Sequence, residues 1–476
     1  MGGSTRSDAL SAVEWGTATA VSVGAEPPAA AGCPPAAGWP TAVHADRWAA
    51  GVRQVTGCAP RTARAVLGWP HFQPDGPGRW DSSAIGRCDR ALDDALSRGL
   101  RPAVTLLHLD LPPWVAAAGG WMSRDTATRF AEHAVAVGER FGDRVVRWIT
   151  SSDLAAPSLA DHVAGMFPPG RGRGLAGLAS VHHVLLGHGL ALQGLRSAGV
   201  AGEIGTTTVL HGGYPATPDP WDRVAVEEYE TWGNGLFLDP LLLGRHLSRD
   251  GGPSLVERTG CVRDGDLEII SSPLDVLALS WHEPVRVTVP ENLPLLLPAD
   301  GSFQALNDVN RLLARLGFVL APFDEVESNS FGWPIIPEGL LDALDAVGAR
   351  YAGALPALHV VDNGMGDLHL ADDADDADGA RSCTLQERRM SWLALAVADG
   401  LDVRGYEYWS VLDNLDWKAG YACRYQRCVG RPATPAPPMP REWTESAARA
   451  LLPDEAVRAT AEAASLGTPD VRLRLA

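Results

Sequence analysis

Short runs rich in β-branched and other apolar residues recur along the chain, each followed by a longer stretch with a different rhythm. Eight such runs lie near Glu14–Ala20, Ala63–Leu67, Pro102–Leu107, Val145–Thr150, Glu203–Val209, Asp275–Ser280, Leu358–Val361 and Val403–Tyr408. Their length suits strands. Between them the apolar positions change spacing: over 125–141, Phe130, Ala134, Val137 and Phe141 recur at intervals of four, three and four, which places them on one face of a helix. Strands alternating with helices form parallel sheets, and eight such units predict a single closed (β/α)8 TIM barrel of the α/β class. No internal repeat or long Pro/Gly/Ser linker divides residues 1–476, so one barrel domain is expected. The segment around 210–272, the acidic 371–380 and the proline-rich 431–443 are expected to be loops elaborating the barrel, the acidic one solvated and lacking EF-hand spacing.

Composition narrows the function classes. The chain has 46% hydrophobic residues and 16 tryptophans, enough for a large core and for aromatic pocket walls. Its 40 basic and 58 acidic residues give a formal charge of −18, which repels phosphate backbones and anionic lipid; neither nucleic acid nor membrane is expected as a partner. The expected partner is a small-molecule substrate, and the sequence leaves the oligomeric state open. Cys33, Cys58, Cys88, Cys261, Cys383, Cys423 and Cys428 are scattered without a framework or a CxxC, and read as free thiols. No metal and no cofactor is implied. The opening MGGSTRSDAL has no cationic start followed by an apolar run, and no segment approaches about 18 continuous apolar residues. A cytoplasmic location is therefore expected.

The chemistry of a TIM barrel is built where its strands end, on the C-terminal face. The fourth run, VVRWITSSDL, closes on Asp153, and the seventh, LHVVDNG, on Asp362. Both carboxylates should point into one mouth. A turn role competes with this reading, since Asn363-Gly364 after Asp362 is an ordinary turn signal.

Further stretches carry a resemblance that covers nearly the whole chain. WGTATA (15–20), GWPHFQPDG (68–76), TLLHLDLPPW (105–114), RFGDRVVRWIT (140–150), NGLFLDP (234–240), GWPIIPEGL (332–340), VVDNG (360–364) and RGYEYWSVLDNLDWKAGY (404–421) occur in the order and at about the spacing of glycoside hydrolase family 1, the β-glucosidase family. The chain resembles a divergent member. In that family the fourth strand ends in Thr-Phe-Asn-Glu-Pro, whose glutamate is the acid/base, and the seventh in Thr-Glu-Asn-Gly, whose glutamate is the nucleophile. Here the matching positions hold Asp153 and Asp362. The asparagine before the acid/base is Ser152, and the sugar-binding glutamate of Asn-Phe-Glu-Trp is Asp416. An early amide donor is replaced by Val23, and Asn-Tyr-Tyr after the sixth strand becomes Ser280-Trp281-His282. The resemblance also places Arg64 beside the nucleophile position, His108 at a sugar-binding histidine followed by Leu109 in place of tryptophan, and Trp333, Trp409 and Trp417 as aromatic walls. His182, His183 and His188 fall on an apolar run that resembles a packing helix of the family, not a metal site.

Retaining glycosidases hold their carboxyls about 5–5.5 Å apart and inverting ones about 6.5–9.5 Å. Shortening both side chains by a methylene withdraws each carboxylate by roughly 1–1.5 Å, opening the gap toward about 7–8 Å, within the inverting range. Direct attack by Asp362 is weakened, while proton transfer is retained. On this expectation Arg64 keeps Asp362 ionised as a base, Asp153 is pushed up as an acid, and His282 is a spare for either role. Three readings follow: acid/base dehydration, elimination or ketal chemistry on an oxygenated natural-product intermediate; a β-glycoside hydrolase, inverting or weak; and a catalytically silent ligand-binding protein. Val23 and Leu109 make the pocket greasier where a sugar needs donors, which favours the first.

Overall fold

The computed structural model describes residues 13–22, 61–97, 99–165, 171–248, 251–296, 307–323, 326–328, 333–364, 367–368, 377–409 and 423–424. Eight parallel strands close into a barrel: β1 (Glu14–Ser22), β2 (Thr62–Val66), β3 (Arg101–Leu107), β4 (Arg147–Ser151), β5 (Glu203–Val209), β6 (Val276–Ser280), β7 (Ala357–Val361) and β8 (Val403–Tyr408). Their order around the barrel is 1-8-7-6-5-4-3-2. Each strand lies within a few residues of its expected run. β3, β4, β6 and β7 are buried almost throughout, as parallel strands covered by helices must be. Leu107 sits level with Ser151, and Val361 with Ser280, so the segments that follow these strands emerge at one rim.

The outer layer is helical. The helix α1 (Asp125–Phe141) buries Phe130, Ala134, Val137 and Phe141 on one face, the stripe legible in the sequence. It crosses α2 (Ala179–Ser197) closely: a Cβ on Gly138 would lie 2.5 Å from Leu195 Cδ2. The run Gly174–Ser197 is long and apolar enough by composition to cross a membrane, yet 83% of its apolar window is buried, as in a core helix. On α2, His188 Nδ1 meets Thr150 Oγ1 on β4 at 2.7 Å, His183 Nδ1 bonds the Trp121 carbonyl at 2.9 Å, and His182 lies between His246 and Asp266. All three histidines are thus structural ties.

Two loop expectations need correction. The 210–272 segment contains a helix of 24 residues, α3 (Pro220–Leu243), started by the Asp219 side chain on the Trp221 amide and by Pro220, and closed by Gly244 at φ 61°. A charged first half and an internal Pro240 mask its 3.6-residue rhythm. Gly213–Pro215, Val285–Thr288 and Val319–Ala321 add a small sheet beside it. In the acidic stretch, residues 371–376 lie outside the described residues, while 377–380 open the helix α4 (Ala377–Ala398). The proline-rich 431–443 also lies outside them. Cys88 and Cys261 are free thiols.

Polar groups occupy the barrel interior. Arg147 on β4 reaches Glu407 on β8 at 3.8 Å; these strands are diametrically opposite, so the contact crosses the axis. Arg147 also pairs with Glu203 at 2.8 Å and Glu14 at 3.6 Å, and Arg101 meets Glu14 at 3.5 Å. Gly405 on β8 leaves room for the His359 ring on β7: an added Cβ would stand 2.2 Å from its Nδ1.

Candidate active site

Asp362 is the first residue after β7, and its backbone adopts φ 53°, the left-handed region, the one such non-glycine among the described residues. Aspartate tolerates this conformation better than most residues, and departures of this kind cluster at functional sites. Asn363 behind it is fully buried and fixed from two sides, donating to the Trp281 carbonyl at 3.0 Å and accepting from Tyr406 Oη at 2.7 Å. The strained residue therefore stands on a rigid base.

Arg64 on β2 uses all three of its nitrogens. Nε donates to Glu407 at 2.6 Å, one terminal nitrogen donates to Thr105 Oγ1 at 3.1 Å, and the other pairs directly with Asp362. Burial works against its charge, but Asp362 and Glu407 together raise its proton affinity above the ordinary arginine value. Glu407 is the residue that sequence reading missed. Its signal was a lone carboxylate inside the apolar run of β8, where a charge survives only if partnered.

The expected effect of Arg64 on Asp362 is present but outweighed. Burial raises the Asp362 carboxyl above the usual range, Arg64 opposes this, and Glu407 adds to the rise. A guanidinium shared between two carboxylates cannot fully compensate either one.

Asp153 follows β4 and opens a π-helical segment, Ala156–Val163, of a kind frequent at functional sites. Its two oxygens accept from the amides of Ala155 at 2.8 Å and Ala156 at 3.1 Å. Asp153 is therefore a turn residue as well as a mouth residue, and its rotamer is fixed by that turn. Burial pushes its carboxyl up to about 6 against the pull of these amides, and the charge of Asp362 adds to the rise. The two aspartates thus feel one another across the mouth.

The remaining candidates fall around this pair. His108 follows β3; burial and the nearby Arg64 push it down to about 4, so it is neutral. Ser152 is buried, with its amide donating to the Leu107 carbonyl at 2.9 Å. His282, after β6, lies 3.4 Å from Ser280 Oγ and 6.2 Å, centroid to centroid, from the ring of Trp333. Its carbonyl accepts from Arg389 on α4 at 2.6 Å. Trp409 follows β8 and is partly exposed. Asp416, Trp417 and Val23 lie outside the described residues. Glu283, beside His282, was not singled out from sequence; burial pushes it up to about 8 although Arg389 opposes this.

The site thus holds two carboxylates after β4 and β7, with an arginine from β2 on the second. The description Glycosyl hydrolase family 1 matches residues 40–428. The chain belongs to glycoside hydrolase family 1. It is 36% identical over 392 residues to thermostable β-glucosidase B of Thermobispora bispora, covering 79% of this chain and 74% of that protein. It is 28% identical over 382 residues to a β-glucosidase of an Agrobacterium species, covering 80% and 78%. Among solved structures, a psychrophilic β-glucosidase from Micrococcus antarcticus superimposes with a TM-score of 0.73 at 31% identity, over 87% of this chain and 91% of that one. This family-1 chain is thus an enzyme of the glycosidase fold, and Asp153 and Asp362 stand after its strands β4 and β7.

Proposed function

We propose that this family-1 enzyme cleaves β-glycosidic C–O bonds by single displacement, with Asp153 protonating the leaving oxygen and Asp362 withdrawing a proton from the attacking water. The observation that carries the reading is the unequal setting of the pair: Asp153 accepts from the amides of its own turn, whereas Asp362 directly touches the Arg64 cation, which opposes the rise that burial gives both carboxyls. Two carboxyls in different environments divide acid from base work. Both side chains are a methylene shorter than glutamate, a change that widens the gap between them and supports inversion. The β-glucosidase names of the relatives support β-glycosides as the substrate class.

The test is an aryl β-glucoside with a good leaving group, followed by proton NMR from the first turnover. The α-anomer should be released first; first release of the β-anomer would overturn single displacement. Asp153→Asn and Asp362→Asn should each lower turnover by about 10²–10⁴-fold, the usual worth of one positioned acid or base. Parent-like rates in both variants would remove the two aspartates from the chemistry.

A second reading is favoured by Leu109 and Ser152 at the rim, where the family carries a tryptophan and an asparagine. On it, Asp362 removes a proton from carbon and Asp153 protonates the departing hydroxyl, eliminating water from a hydroxylated small molecule. Failure to cleave any β-glucoside, together with loss of 18 mass units from such a molecule, would favour it.

A further inference from the structure

Glu407 belongs to the site by contact, yet nothing in the acid/base scheme uses it. Its Oε2 accepts from Arg64 Nε at 2.6 Å, and its Oε1 lies 3.8 Å from Arg147. Arg147 is itself held by Glu203 at 2.8 Å. Glu407 is therefore anchored by two cations from two strands and is almost wholly buried. It cannot swing out to a substrate, which excludes it as a nucleophile.

Arginine ordinarily grips one carboxylate with Nε and a terminal nitrogen together, as a fork. Here the fork is split: Nε serves Glu407, the neighbouring terminal nitrogen serves Asp362, and the third nitrogen serves Thr105. We infer that Glu407 is a positioning residue for the proposed chemistry: by occupying Arg64 Nε it divides one cation between two carboxylates and sets how readily Asp362 takes up a proton. This rests on Asp362 being the base of the reading above.

The groups around Asp362 allow the effect to be isolated. Arg64 from β2, Glu407 from β8 and Asp153 after β4 act on Asp362 directly, and Arg389 from α4 donates to the Gly364 carbonyl two residues on; Arg147 on β4 lies against Glu407, and His108 after β3 and His359 on β7 lie near Arg64. Burial holds His108 and His359 neutral, pushed down to about 4 and about 3. Of the anions, Asp153 titrates near 6 and bonds to its own turn. Glu407 shares the guanidinium, and its charge raises Asp362.

The experiment is carbon-13 NMR titration of aspartate-labelled enzyme, the Asp362 carboxyl being assigned by its loss in Asp362→Asn. In Glu407→Gln the Asp362 midpoint should fall by about one unit or more, the effect of removing a like charge at this range. An unchanged or raised midpoint overturns the inference. Thr105→Val, which removes a neutral contact of the same guanidinium, should move the midpoint much less; an equal fall would show that guanidinium placement, not the charge of Glu407, is decisive, and also overturns it. Should Glu407→Gln fail to fold, Glu407→Asp keeps the charge a methylene further away, and a midpoint identical to the parent's is the overturning result. The titration needs no turnover, so it stands or falls separately from the activity of Asp362→Asn, which tests the acid/base reading itself.

Discussion

A carboxyl that works as an acid must keep its proton at working pH, and one that works as a base must give it up. Asp153, at about 6, is protonated below that pH and loses its proton above it. Asp362 is raised above the ordinary carboxylate range, so its ionised form also appears at higher pH than for an exposed aspartate. The sign is the same for both groups, and on the proposed division of roles the active form of the pair is confined to a narrow, mildly acidic window. The kcat/KM profile should be a bell whose basic limb falls as pH rises through about 6, with an acid limb above about 3.9, the ordinary aspartate value. In Asp153→Asn the basic limb should vanish along with most of the activity. A profile flat from pH 5 to 8 would mean that Asp153 is only the turn residue its amide contacts make it.

At the scale of elements, the barrel strands carry two kinds of information. Their outward faces pack on helices such as α1 and α2, and that half was legible: Phe130, Ala134, Val137 and Phe141 announce their helix by spacing alone. Asp153 and Asp362 were legible too, because each ends an apolar run. The interior ion pairs were not, since Arg147 and Glu407 look like isolated charges until the barrel closes and sets β4 opposite β8. Pairing across an axis leaves no trace in local sequence. The long helix α3 was hidden differently, by a charged first half and an internal proline that blur its period. The interior pairs also make a prediction. Arg147→Met leaves Glu407 and Glu203 without a shared partner, and should destabilise the fold by about 1–3 kcal/mol, since Glu407 keeps Arg64 and Glu203 is partly exposed. Urea unfolding measures this; a change below about 1 kcal/mol would mean that the charges are hydrated or re-paired.

Over the whole molecule, histidine is the group that burial disturbs most. His71, His108, His133, His162, His182, His183, His188, His211, His246 and His359, ten of the thirteen in the chain, are all pushed below the ordinary value, with burial the largest cause. His133 is among the lowest, pushed down to about 3 in a cage of Trp69, Phe72 and Trp80, with neither ring nitrogen hydrogen-bonded. Native-state pKa values lie below those of the unfolded chain, so the unfolded chain binds more protons. Stability from these groups is complete above about pH 6.5 and drains away as pH falls toward about 3–4. Asp110, Asp153, Glu230, Glu283, Asp345 and Asp362, pushed up, act in the opposite sense but are outnumbered. The melting temperature should therefore drop between pH 7 and 5 at fixed salt, and His133→Phe should make that drop shallower. An unchanged slope in His133→Phe would show that the ring protonates without unfolding.

The row of charges through the barrel, from Asp362 and Arg64 through Glu407 and Arg147 to Glu203 and Glu14, has a thermal meaning as well. Exposing apolar surface on unfolding raises the heat capacity, and exposing polar surface lowers it. A barrel whose axis is occupied by guanidinium and carboxylate groups releases less oily surface than one filled with valine and isoleucine. Its heat-capacity increment per residue is correspondingly smaller, and its stability curve is broader and flatter against temperature. The ions that line the axis up to the mouth thus also make the fold less responsive to cold.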